Sequence, residues 1–242
     1  MKKTILAVSA VMALSTLPSV AFADVAFNVG AVTDYRYRGI SQTRLKPALQ
    51  GGIDYSNGGF YLGTWASSIK WIKDFGGDAS VEIDLYGGYK GDIVKDSLTY
   101  DVGVLTYQYP SNKLNPKAET TEIYGALTYG PATLKYSHAV TNTFANPDSK
   151  NSFYVDLSAT FDAGGISIVP HVGYQKIKGP FEDPGSYTDY SLTISKDFSG
   201  LVVSAALVGT DADKTFYVPG PVANSTKFLG KAAVVLGVKY NF

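Results

Sequence analysis

From Ala26 onward the sequence alternates with a period of two, and the two faces it defines suit two different solvents. Phe27, Val29, Ala31, Thr33, Tyr35 and Tyr37 fall on one face, and Asn28, Gly30, Val32, Asp34, Arg36 and Arg38 on the other. The pattern returns at Val81, Ile83, Leu85, Gly87 and Tyr89 against Glu82, Asp84, Tyr86, Gly88 and Lys90, and again over residues 122–129 and 153–161. Twelve strands are predicted, starting near residues 26, 47, 60, 80, 98, 121, 132, 152, 166, 188, 201 and 230. Those near 60–69, 98–109 and 201–210 alternate less cleanly, which leaves their facing open.

The connections constrain the fold further. Short Gly, Asn, Asp or Pro turns fall at Ser56-Asn57-Gly58-Gly59, residues 91–96, Gly130-Pro131, Asp162-Ala163-Gly164-Gly165 and Phe198-Ser199-Gly200. Longer connections lie between them, at residues 39–46, 70–79, 110–120, 140–151, 177–187 and 211–229. Short turns alternating with long loops, on an even strand number, describe an up-and-down outer-membrane barrel with both termini in the periplasm. No stretch offers the ~18 consecutive apolar residues of a membrane helix. The best runs, residues 201–209 and 232–238, are too short, so a membrane would have to be crossed by strands closed on themselves.

The N-terminus reads as an export signal. Lys2 and Lys3 precede a mostly apolar run, and Ala21-Phe22-Ala23 supplies the small residues of a cleavage site, so residues 1–23 are set apart from the 24–242 barrel. No cysteine stands at the cut to carry a lipid. The remaining chain keeps 19 basic against 21 acidic residues, a near-neutral balance that offers nothing to nucleic acid. At the other end Val238, Tyr240 and Phe242 form an alternating strand closed by Phe, which is expected to act as the insertion signal read by the barrel-assembly machinery.

A secreted lipocalin-like barrel would also alternate, but with charges outside. Here charged residues make up 17% of the chain, below the ~25% of ordinary soluble domains, and Tyr35, Tyr37, Tyr55, Tyr89, Tyr129, Tyr174 and Tyr240 sit at strand ends as an interfacial girdle does. Location in the outer membrane of a Gram-negative cell, with lipid around the apolar face, is therefore expected.

RYRGISQT (36–43), PALQGGIDY (47–55), GFYLGTWAS (59–67), EIDLYGGYKG (82–91), TEIYGALTYG (121–130) and the C-terminal VKYNF resemble an uncharacterised proteobacterial outer-membrane family, described as conserved hypothetical (Gcw_chp) and as the porin-like TorF family. The resemblance implies a barrel and transport, and names no solute.

Catalysis finds little support in the residues. GxSxG, HExxH, GxxxxGK[ST] and Cys/His clusters do not occur. His138 and Ser137 are neighbours in a strand and point to opposite faces, which prevents a dyad. His171 is expected in the lumen as a hydrogen-bonded polar residue. No cofactor or metal is expected, since Asp211 and Asp213 lack a third spaced oxygen ligand.

The inward charges carry the functional reading. Asp34, Arg36, Arg38, Glu82, Asp84, Glu122 and Asp156 are the expected constriction residues, with the Arg pair on the first strand facing carboxylates at the same depth. Lys90, Lys135, Lys231 and Lys239 are also placed inside, and residues 211–229 are expected to form a surface loop. A porin for small hydrophilic solutes is the leading function. A structural or adhesive barrel with a blocked lumen is the alternative.

Overall fold

The computed structural model describes residues 24–242, so the expected export segment lies outside the described residues. Twelve antiparallel strands close into a barrel: β1 (Asp24–Val32), β2 (Ala48–Asn57), β3 (Phe60–Ser68), β4 (Val81–Val94), β5 (Leu98–Gln108), β6 (Thr120–Tyr129), β7 (Ala132–Ala139), β8 (Phe153–Ala159), β9 (Ile166–Lys176), β10 (Tyr187–Phe198), β11 (Leu201–Thr210) and β12 (Ala233–Asn241). Every strand pairs with its neighbours in sequence, and β12 pairs back onto β1, with Val29 opposite Tyr240. A two-residue strand, Phe161–Asp162, continues β8 beyond Thr160. The starts agree with the sequence pattern to within three residues. Five tight turns lie at one end of the barrel and six longer connections at the other.

Alternation places the aliphatics outside. Val29, Ile53, Leu62, Leu85, Val104, Ile123, Leu157, Val172, Ile194 and Leu236 are exposed on the outer wall. The three ambiguous strands now have a facing. Tyr61, Trp65 and Ser67 of β3, Asp101, Leu105 and Tyr107 of β5, and Val202, Ala206 and Val208 of β11 share the register of inward neighbours. Leu105, Val202, Ala206 and Val208 are buried apolar residues on the inner wall, which explains the blurred alternation of β5 and β11: part of the interior is packed rather than wet.

Glycine and tyrosine fit together on the inner wall. A side chain at Gly88 would meet the Tyr61 hydroxyl, one at Gly103 the Tyr124 hydroxyl, one at Gly63 the Tyr86 ring and one at Gly173 the Tyr154 ring. Each ring lies across a neighbouring strand where no Cβ stands in its way, covering backbone that glycine leaves bare. The rings thus fill space within the lumen.

The first strand departs from expectation. It ends at Val32 rather than running to Arg38, and residues 33–47 fold back into the barrel as a small hairpin, Arg36–Tyr37 against Ile40–Ser41. Arg38 and Gly39, between these two short strands, both have positive φ (45° and 79°), the backbone that a two-residue hairpin turn requires. Gly39 sits where a side chain would collide with Thr210 and Asp189. Alternation alone could not reveal the break, because Tyr35, Arg36, Tyr37 and Arg38 continue the polar and aromatic pattern through it.

Candidate functional site

The inward hairpin crosses the lumen. In a twelve-stranded ring the wall facing β1 is β7, and Arg38, at the hairpin tip, reaches partners on both sides of it. Its Nη2 donates to Glu122 Oε2 on β6 at 2.7 Å, and its Nη1 to Gln175 Oε1 on β9 at 2.5 Å. The guanidinium also lies 4.8 Å from the Tyr37 ring centroid and 4.3 Å from that of Tyr154. A planar cation held by two acceptors and two rings is fixed in both position and orientation.

Arg36 has a different task. Its Nε pairs with Asp34 Oδ2 at 2.5 Å, and its Nη1 donates to the carbonyls of Gly39, Leu229 and Lys231. Asp34 Oδ1 accepts from Ser41 and Thr43 hydroxyls, so Asp34 and Arg36 clip the hairpin together and tie it to the last loop. The expected Arg pair facing carboxylates is therefore divided: Arg38 faces the far wall, and Arg36 serves the hairpin itself.

The carboxylates meet the hairpin in one layer at the loop end. Glu82 Oε1 accepts from the Tyr35 hydroxyl at 2.5 Å and Oε2 from Tyr109 at 2.7 Å. Tyr37 donates to the Tyr107 hydroxyl, which donates in turn to Glu122 at 3.3 Å. Asp84 is 1% exposed, and among the described residues its Oδ1 has no hydrogen-bond donor. Asp156 lies 3.9 Å from His171 Nε2, while His171 Nδ1 is 3.6 Å from Asp189. Tyr154 donates to Asp189 at 2.8 Å. All seven expected constriction residues are buried.

Sequence reasoning missed Gln175, Tyr107, Tyr109 and Tyr154 as members of this layer. Gln175 shares the parity of His171 and was within reach of the same count. Tyr107 is at the end of β5 and Tyr109 just follows it, where facing was ambiguous.

Several loops close over the layer. Ile72 in the one-turn helix Trp71–Asp74 is fully buried, and Arg44 forms an ion pair with Asp74. Phe144 packs edge-on against Tyr37 and Tyr107. The loop at 211–232 is only partly a surface loop: Ala212, Pro219, Gly220 and Leu229 are buried, with Leu229 against Ile40 and Tyr187. Asp211 and Asp213 accept backbone hydrogen bonds there, from Thr188 and from Thr215 and Phe216. The hydroxyl and amide of Thr215 and the Phe216 amide hold the Asp213 carboxyl below the usual carboxylate range. Lys231, expected in the lumen, is exposed ahead of β12, because that strand starts at Ala233.

Toward the turn end the interior opens. Asp54, Lys90, Asp101, Lys135 and Lys239 point inward and are only half-buried. Tyr61 donates to Asp101 at 2.5 Å, Tyr86 to Asp54 at 2.5 Å, and Lys135 Nζ lies 4.0 Å from the Tyr124 ring centroid. The two histidines separate as their parity requires. His138 is on the outer wall between Tyr136 and Asn151, and His171 is in the lumen. On the last strand Val238, Tyr240 and Phe242 are exposed on the outer wall, and the Tyr240 and Phe242 rings meet edge-on.

A closed twelve-stranded barrel, apolar outside and charged inside, with a loop folded into its lumen, defines a β-barrel of the outer-membrane type. The chain belongs to the Gcw_chp family, bacterial proteins of unknown function, whose model matches residues 18–242. The NanC porin superposes with a TM-score of 0.57 at 11% identity, covering 90% of this chain and 99% of that one. A membrane protein studied for in-meso crystallization gives 0.51 at 6% identity, over 90% of this chain and 83% of the other. Outer membrane phospholipase A from Escherichia coli, at 0.46 and 11% identity over 90% and 95%, is too loose a match to bear on chemistry. These likenesses concern the fold. No curated protein matches the sequence.

Proposed function

We propose that the protein is an outer-membrane channel for passive diffusion of small hydrophilic solutes, narrowed by its own first loop. The observation that carries this reading is Arg38, placed across the lumen against Glu122 and Gln175 at the head of a half-open charged vestibule. A fixed cation among carboxylates sets a transverse field, which orients dipolar solutes and sets ion preference. Lipid would cover the outer aliphatic wall. The C-terminal strand with Val238, Tyr240 and Phe242 would present the assembly signal, and residues 1–23 would direct export.

Purified protein reconstituted in a planar bilayer is expected to give discrete conductance steps, and Arg38→Ala to shift the reversal potential in a salt gradient toward cations. Silence from protein that fractionates with the membrane would rule out the channel. A second reading has its own support: Arg38 is 5% and Glu122 1% exposed, so this layer is shut in the structure. A structural or adhesive barrel with an occluded lumen is what that silence would leave, whereas recovery as soluble periplasmic protein would favour a lipocalin-like binding barrel.

A further inference from the structure

Strand register arranges the vestibule charges in one row. Lys90 on β4 stands opposite Asp101 on β5, which stands opposite Ala126 on β6; Ala126 faces Lys135 on β7, and Lys135 faces Asp156 on β8. The row continues through Gly173 on β9 to Asp189 on β10 and Thr210 on β11. Barrel strands tilt, so a row perpendicular to the strands climbs the wall. The two ends show the climb. Lys90 N donates to Gly59 O in a tight turn, and Thr210 is the last residue before the longest loop.

The first four charged rungs alternate in sign: Lys90, Asp101, Lys135, Asp156. Rungs on adjacent strands are about 5 Å apart and rungs separated by a small residue about 10 Å. Exposure falls along the row, from half-buried Lys90, Asp101 and Lys135 to buried Asp156 and Asp189, which leads from the turn-side opening toward the Arg38 layer. Among the described residues Lys135 forms no salt bridge with Asp156 opposite it and rests on the Tyr124 ring, Asp101 and Asp189 take tyrosine hydroxyls, and His171 lies between Asp156 and Asp189.

We propose that this row is a binding track for small zwitterionic solutes, such as free amino acids, which would travel with carboxylate toward a lysine and ammonium toward an aspartate. The proposal rests on the channel reading above. A simple anion or cation meets a like charge at every second rung, and a neutral solute gains nothing from either sign. A solute carrying both charges finds complementary partners along these four rungs.

L-Alanine and lactamide are isomers, one zwitterionic and one uncharged, which makes them a matched pair for a proteoliposome swelling assay. After subtraction of protein-free vesicles, the wild-type barrel is expected to admit alanine several-fold faster than lactamide. Lys135→Gln and Asp156→Asn should each reduce that ratio. The swapped double variant, Lys135→Asp with Asp156→Lys, keeps both signs on adjacent strands and should restore it, with folded protein selected by its resistance to denaturation before boiling. Equal rates for the two isomers in the wild type, or a ratio unchanged in both single variants, would overturn the track and leave the channel standing. No swelling with either solute from inserted protein would remove the channel and the track together.

Discussion

At the scale of single residues, the loop-end layer contains two kinds of buried charge that ought to respond oppositely to neutralisation. Glu122 is held by Arg38 and Tyr107, so Glu122→Gln leaves a buried guanidinium without its counter-charge. Breaking one side of a buried pair costs about 3–5 kcal/mol, and the variant is expected to unfold at lower urea concentration than the wild type. Asp84 is as deeply buried, yet one carboxylate oxygen has no donor. Asp84→Asn removes a charge that forms no ion pair among the described residues, so its unfolding midpoint should equal or exceed the wild-type value. A loss in Asp84→Asn as large as that in Glu122→Gln would mean that Asp84 has a partner the contacts do not account for.

At the scale of elements, the inner wall depends on tyrosines lying over glycines of the next strand. Gly103→Val and Gly173→Val should each lower the yield of refolded barrel and destabilise it by about 1–3 kcal/mol, because the new side chain occupies the space of the Tyr124 or Tyr154 hydroxyl. Gly125, on the outer face with its nearest neighbour 4.0 Å away, gives the comparison: Gly125→Ala should refold like the wild type. The barrel strands were legible in the sequence because lipid on one side and water or charge on the other impose a period of two. In two of the less clean strands, β5 and β11, Leu105, Val202, Ala206 and Val208 pack inward, so both faces are partly apolar, and in β3 the aromatic Tyr61 and Trp65 point inward. The hairpin at 36–41 was not legible. Its residues keep the alternation of a strand, and only the backbone at Arg38 and Gly39, together with contacts to distant strands, turns it inward. The wall carboxylates could be placed by parity, whereas the partners of Arg36 and Arg38 depended on that fold-back.

At the scale of the whole molecule, the barrel resembles a cup with a charged vestibule at the turn end and a packed layer at the loop end. The wall supplies enclosure, and the first loop supplies the narrowing. The channel account therefore separates scaffold from constriction in a way that can be tested. Tyr35 and Gln42 are already neighbours across the hairpin, with Gln42 N donating to Tyr35 O at 2.8 Å, so residues 36–41 can be replaced by a two-residue Asn-Gly turn without stretching the flanking chain. That variant removes Arg36 and Arg38 from the lumen and leaves every barrel strand intact. The most direct measurement is its single-channel conductance in a planar bilayer beside that of the wild type. The account expects small steps from the wild type and several-fold larger ones from the shortened hairpin, in protein shown to be folded and inserted. Equal conductance in the two, or silence from both, would contradict it.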